Sequence, residues 1–152
     1  MSEIVYSPLD GEVISITNVD DEMFAKKMLG DGVAFIPTEK KLYSPIVYSP
    51  IDGVVSMVYE TQHAIGIKTK EGKDLLIHIG IETVQLHGKP FKTKVKVGDK
   101  VKQGDLLTVV DWNYIKRNGC DPVVPIVIMD SPIVVLKDAG KVKSGDPIFK
   151  IY

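Results

Sequence analysis

Polar and apolar positions in this chain alternate in short bursts, the period-2 mark of half-buried strands. The clearest burst is residues 61–80, TQHAIGIKTKEGKDLLIHIG. Apolar runs at 63–67 and 75–81 flank a polar turn at Lys70, Glu71 and Gly72, which predicts a β-hairpin. Each run carries one histidine, His63 and His78. A tight turn centred between Lys70 and Glu71 sets the two histidines directly opposite one another, with Cβ atoms roughly 4.5–5.5 Å apart. A bulge at Gly72 slips the pairing by one residue: Ile65, Ile67, Leu75, Ile77 and Ile79 then share a face and the histidines part. The apolar pattern leans towards this second register. Periodicity alone therefore proposes a histidine pair without fixing it.

The same alternation recurs along the chain between turn signals. YSPLDG at 6–11 and YSPIDG at 48–53 nearly repeat, each setting a turn before a strand-like run at 13–16 or 54–59. A partial copy, Tyr43-Ser44-Pro45-Ile46, precedes the second and reads as a short loop insertion. Glycine–aspartate turns follow at KVGDKV, KQGDLL and KSGDPI, residues 96–101, 102–107 and 143–148. Strands this short cannot bury a face alone and must close on one another. Turn formation by itself accounts for these repeats. Two segments carry helical signals instead. Residues 20–29 have acids first, lysines late and Gly30 as a stop, with Phe24 and Met28 anchoring the core side. Residues 111–117 repeat the logic with Trp112 and Ile115 inside and Gly119 as terminator.

Composition narrows the class. At 152 residues, 44% apolar and 26% charged, the chain reads as one domain, 1–152, with an ordinary core. A net charge of −1 gives no footprint for nucleic acid. The run at 123–129 is far too short to span a bilayer, and no basic-then-apolar leader opens the chain. Cys120 is the only cysteine, so no internal disulfide forms, and a cytoplasmic location is expected.

The histidine hairpin admits three chemistries. Two imidazoles can sit satisfied on a partly buried sheet. They can supply half of a tetrahedral zinc shell, although Cys120 lies in an unrelated loop and Gly80 stands where an H-x-H zinc strand needs histidine. Or a neutral imidazole can attack phosphorus and leave again, given a partner that fixes its tautomer and donates to the phosphoryl oxygens. A facing histidine can make such a donation, and Thr61 can orient that second ring. No GxxxxGK[ST] loop exists to present a nucleotide.

GDGVAFIP at 30–37, SPIDG at 49–53, ETQH at 60–63, LLIHIGIETVQL at 75–86 and VPIVIM at 124–129 resemble the glucose-type enzyme IIA component of the bacterial phosphoenolpyruvate-dependent sugar phosphotransferase system. The likeness spans about residues 7–151. It implies an antiparallel β-sandwich or barrel built from a duplicated motif, with one or two short helices. By position it makes His78 the phosphorylated residue, His63 the ring that hydrogen-bonds the phosphoryl group, and Thr61 the residue orienting His63. Asp31 and Glu82 match acids beside the site, and Val33, Phe35, Tyr59, Leu76 and Val84 match an apolar docking patch. The family's histidines meet, which selects the first register.

The resemblance also implies partners: the histidine-containing phosphocarrier protein as donor and a cysteine on the IIB domain of a sugar permease as acceptor. A second role follows from the same patch, restraint of transporters or kinases by the unphosphorylated form. No cofactor is expected, save a zinc that His63 and His78 would hold with a partner's carboxylate. Glu82 replaces a usual aspartate, Gln62 an asparagine, and Leu76 and Ile79 positions often aromatic. No amphipathic membrane-tethering tail is expected, His87 reads as an exposed loop residue, and Cys120 lacks the surroundings of a IIB phosphocysteine. A lipoyl- or biotin-type carrier ranks lowest, because Lys70 and Lys73 lack that setting.

Overall fold

The computed structural model describes residues 3–38 and 45–152. In chain order the first strands are β1 (Glu3–Tyr6), β2 (Gly11–Ser15), β3 (Asp31–Pro37), β4 (Ile46–Tyr48), β5 (Gly53–Val58), β6 (Ala64–Thr69) and β7 (Asp74–His78). They continue as β8 (Phe91–Thr93), β9 (Lys100–Val101), β10 (Leu106–Val110), β11 (Val124–Met129), β12 (Ile133–Val135), β13 (Gly140–Val142) and β14 (Pro147–Ile151). Helix α1 (Glu22–Ala25) precedes β3, and α2 (Trp112–Arg117) precedes β11. No helix among the described residues is long and apolar enough to cross a membrane.

An eight-stranded antiparallel sheet runs β13-β2-β3-β11-β7-β6-β5-β9, and two three-stranded sheets run β1-β14-β12 and β4-β10-β8. The large sheet keeps free edges at β13 and β9, so it does not close into a barrel. Its order is palindromic. Exchanging β2 with β5, β3 with β6, β11 with β7 and β13 with β9 reproduces it, and exchanging β1 with β4, β14 with β10 and β12 with β8 maps one small sheet onto the other. The centre of this internal two-fold is the Ile77–Ile126 pair on β7 and β11.

The repeated hexapeptides interlock the two halves. Tyr6 N–H donates to Pro50 C=O (2.9 Å), and Tyr48 N–H donates to Pro8 C=O (2.8 Å). Buried Ser7 and Ser49 each donate Oγ–H two residues on, to Leu9 and Ile51 C=O, both at 2.7 Å. The Asp10 and Asp52 carboxylates accept from the Ser144 and Gln103 amides, at 2.8 and 2.7 Å. Turn formation is thus only part of what these residues do. The glycine–aspartate turns do act as sequence predicts. Asp99, Asp105 and Asp146 accept from the Lys96, Lys102 and Lys143 amides, beside left-handed Gly98, Gly104 and Gly145.

Alternation divides the apolar residues of the large sheet between two cores. Val33, Phe35, Ile65, Ile67, Leu75, Ile77, Ile79, Val124, Ile126 and Ile128 fill the main core with residues of the small sheets. Ala34, Ala64, Leu76, Val123 and Val127 take the opposite face, where Ile16, Val19 and Phe24 cover them. Each fully buried branched side chain contributes about 1.5–3 kcal/mol relative to exposure, which is why the isoleucines decide the register. β6 and β7 pair Ala64↔His78, Ile65↔Ile77 and Ile67↔Leu75. That is the slipped register, with left-handed Gly72 (φ 81°) completing a three-residue turn, and it corrects the selection of the first register.

Helix α1 is one turn, not ten residues. The Asp21 carboxylate caps Met23 N–H at 2.8 Å. Left-handed Lys27 (φ 56°) then closes the turn, with Lys27 N–H on Phe24 C=O and Met28 N–H on Met23 C=O. The lysine occupies the stop position assigned to Gly30. Phe24 is buried as expected, whereas Met28 is 67% exposed and anchors nothing. Helix α2 matches expectation, with Trp112 and Ile115 buried. The Tyr43–Ser44 part of the proposed insertion lies outside the described residues.

Gly32 leaves no room for a side chain between β3 and β11: a Cβ there would lie 1.8 Å from Ile126 O. We expect Gly32→Ala to destabilise the fold by about 3 kcal/mol or more, the scale of severe core overpacking. Gly72→Ala, which meets no atom within 4 Å but needs a left-handed backbone, should cost about 1 kcal/mol. Urea unfolding of both checks the contrast.

Candidate functional site

His78 ends β7 and faces the side of the sheet covered by α1. Its ring packs against Phe24 with centroids 5.1 Å apart. Opposite His78 the antiparallel register brings Pro125, which has no N–H to give. The β7–β11 pairing accordingly stops at Ile77↔Ile126 and resumes with Gly80 N–H on Val123 C=O at 2.8 Å. Beyond this break, left-handed Gly80 (φ 79°) turns its carbonyl back onto His78 Nδ1 at 2.7 Å. A carbonyl only accepts, so Nδ1 carries the proton and the lone pair is on Nε2. The fold thereby chooses the nucleophilic nitrogen.

His63 lies one residue before β6, and its C=O still accepts Ile79 N–H at 2.7 Å. Regular alternation would send its ring to the face of Ile65. The preceding Gln62 is left-handed (φ 59°), which interrupts that alternation. The rings of His63 and His78 meet edge to face with centroids 5.0 Å apart. The histidines thus meet in the very register that was expected to part them. Thr61 Oγ1 lies 2.7 Å from His63 Nδ1, and the Tyr59 ring stands edge-on to His63 at 5.0 Å.

Burial holds His63 neutral, pulling its pKa down to about 4, with repulsion from His78 adding to the effect. Burial also lowers His78, against the opposing pull of the Gly80 carbonyl and the Asp21 carboxylate. Two neutral imidazoles in contact, one with Nε2 free of its proton, form a nucleophile beside a hydrogen-bond donor or acceptor. Among the described residues no group of three or more His, Cys, Asp and Glu could hold a metal ion.

The model of the phosphoenolpyruvate-dependent sugar phosphotransferase system EIIA 1 family matches residues 3–134. The chain belongs to this family. It is therefore a phosphotransferase component, and the resemblance to glucose-type enzyme IIA holds. Over 150 residues it is 41% identical to the glucose-specific EIICBA component of Staphylococcus carnosus (strain TM300). That alignment covers 97% of the chain but 22% of the relative, so the chain spans about a fifth of its length. The solved structure of glucose permease IIA from Mycoplasma capricolum matches with a TM-score of 0.90 at 33% identity, over 99% of this chain and 96% of that one.

Set on this enzyme IIA fold, the remaining residues singled out by sequence separate. Tyr59 (46% exposed) and Val84 (49%) stand at the surface, and Glu82 is exposed in a left-handed conformation. Val33, Phe35 and Leu76 do not. At 1, 0 and 6% exposure they are core residues and cannot form a docking patch. Asp31 is also misplaced: it pairs with Ile128, in the row of Leu75, three residues from His78 or roughly 10 Å along the strand. It takes an ion pair with Lys27 (3.4 Å) and its own neighbour's amide, Gly32 N–H (2.8 Å).

The acid that acts on His78 is Asp21, which sequence presented only as a first-turn acid of a helix. With Asp20, Glu82 and Asp121 it lines an open cleft of about 390 Å³. Phe24 was legible as a core residue, but not its contact with the histidine. Cys120 lies in the same cleft, and burial first, Glu82 second, push its thiol pKa up, which disfavours the thiolate. His87 is exposed, as expected.

Because His63 is held neutral in the fold and titrates near 6.5 when unfolded, the unfolded state binds the extra proton between pH 6.5 and about 4. Stability from this group is complete above pH 6.5 and falls as pH drops through that window, by roughly 2–3 kcal/mol. His63→Gln should flatten the slope of unfolding free energy against pH there, measured by urea titrations at each pH.

Proposed function

We propose that this chain accepts a phosphoryl group on His78 Nε2 from the histidine-containing phosphocarrier protein and passes it to a cysteine of a sugar permease IIB domain. The observation that carries this reading is the Gly80 carbonyl on Nδ1, which leaves Nε2 as the unprotonated, attacking nitrogen. In the first step the Nε2 lone pair forms a bond to phosphorus while the donor's N–P bond breaks, its electron pair returning to the donor nitrogen. The product ring carries positive charge with Nδ1 still protonated, and the Gly80 carbonyl and Asp21 carboxylate stabilise it. In the second step a cysteine thiolate attacks phosphorus and the bonding pair returns to Nε2. No proton has to move within this chain in either step.

His63 supplies the donor. We take Thr61 O–H as the donor in its 2.7 Å contact with Nδ1, which puts the ring proton on Nε2, towards the phosphoryl oxygens. Tyr59, Val84 and Glu82 offer the exposed surface for both partners, now without the buried Val33, Phe35 and Leu76. The name of the Staphylococcus relative joins IIC, IIB and IIA in one component, which supports a IIB acceptor. The cytoplasm, where both partners reside, is the proposed location. Any zinc would need a partner carboxylate in addition to His63 and His78, because two imidazoles leave a tetrahedral shell half empty.

Incubation with phosphoenolpyruvate, the upstream kinase and the carrier should add one acid-labile, base-stable phosphate, read as intact mass. His78→Ala should take up none; undiminished uptake would overturn the assignment. His63→Gln should accept phosphate within a fewfold of the parent rate yet transfer it to a IIB domain about 100-fold more slowly, as for loss of one preorganised donor.

A further inference from the structure

Of the two residues flanking Gln62, His63 carries the second imidazole and Thr61 hydrogen-bonds it, but Gln62 itself has no part in the chemistry above. Its backbone is left-handed, a strained state for a side chain with no glycine's freedom. Its N–H donates to Tyr59 C=O at 2.7 Å, and Tyr59 N–H donates to Ala64 C=O at 3.1 Å, closing a small loop over residues 59–64. Its side chain reaches a different sheet. Gln62 Oε1 accepts Thr93 N–H from β8 at 3.0 Å.

That donor is spare by geometry. β8 is the edge of its sheet. Lys94 N–H turns inward to Leu107 C=O (2.8 Å), and Asp111 N–H comes from β10's side onto Pro90 C=O (2.8 Å). Backbone groups alternate in an antiparallel ladder, so the intervening Thr93 amide points to the open side. Thr93 is itself half-buried. One bond therefore satisfies an edge amide and ties the loop carrying His63 to the other layer of the fold.

We propose that Gln62 is a positioning residue: its carbonyl, anchored on the Thr93 amide, holds the left-handed turn that swings the His63 ring out of strand alternation and against His78. Thr61 fixes the rotation of the ring, whereas Gln62 fixes where the ring stands. The kinetic consequence rests on the phosphoryl-transfer reading; the geometric one does not.

Two variants test it. Gln62→Met keeps length and removes the acceptor; Gln62→Glu keeps an acceptor for Thr93 N–H. Ring nitrogen NMR at pH 8, where both histidines are neutral, reports the His63 tautomer, and ring-to-ring nuclear Overhauser effects report its contact with His78. In Gln62→Met the tautomer signal should become averaged and the inter-ring effect drop at least threefold. Transfer to a IIB domain should slow about tenfold, as a misplacement of the order of 1 Å allows, with uptake on His78 within twofold. Gln62→Glu should restore the tautomer and the ring contact. A folded Gln62→Met with parental His63 signals overturns the proposal, and so does a Gln62→Glu that fails to restore them. Should His78 take up no phosphate in any form while the NMR pattern follows this prediction, the transfer reading fails and the positioning role stands.

Discussion

The bond from His78 Nδ1–H to Gly80 C=O carries more of this protein's character than its length suggests. It forms where the regular β7–β11 ladder is interrupted just after His78. Pro125, lacking an amide, opens the ladder opposite His78, and Gly80 takes a left-handed turn that other residues would resist. A Cβ on Gly80 would also lie 2.4 Å from Thr83 Cγ2 and 3.0 Å from Asp121 O. Thr83 in turn donates its buried hydroxyl to Ile79 C=O at 2.6 Å, fixing the other side of the same turn. Without that carbonyl the imidazole could exchange tautomers, and either ring nitrogen could attack.

The internal two-fold doubles the strand framework but not the site it carries. The strand pairings β2–β3 and β5–β6 match Gly11↔Pro37 with Gly53↔Thr69. Continuing along β6 and β3, His63 corresponds to Asp31. Across the next pairing, Ala64↔His78 corresponds to Gly32↔Val127. The scaffold is thus doubled while the chemistry is written into one half. Asp31 belongs to the blank copy of the site, and for that reason it lies away from the histidines that the resemblance placed beside it.

Fold class, the turns and α2 were legible because they depend on local patterns: period-2 alternation, glycine–aspartate turns, an aspartate cap before Trp112. The histidine pair was legible in identity and wrong in construction. Sequence offered a choice between a register that buries five aliphatic residues on one face and one that joins the histidines, and treated them as exclusive. Burial won, as its size demands, and a left-handed Gln62 let the rings meet regardless. Nothing local marks glutamine for that conformation, nor Lys27 for the stop of α1. The buried Val33, Phe35 and Leu76 show the same limit: on a sheet covered on both faces, an apolar residue near a site has no face left to offer a partner.

The depth of His63 sets what the site can do. An imidazole kept neutral by burial can stabilise a passing phosphoryl group by donating a hydrogen bond, but it offers no full positive charge. A fixed cation at contact distance would bind the phosphorylated state more tightly than the transition state requires, and a carrier that holds its cargo too well transfers it slowly. In the proposed reaction the one charge that appears, on the His78 ring itself, arises and vanishes with the N–P bond. Gly80 meets it with a carbonyl dipole already on Nδ1, and Asp21 with a carboxylate that favours the charged ring. On the proposed reading, partners in place for a transient charge, beside a donor without permanent charge, leave the phosphoryl group easy to accept and easy to give away.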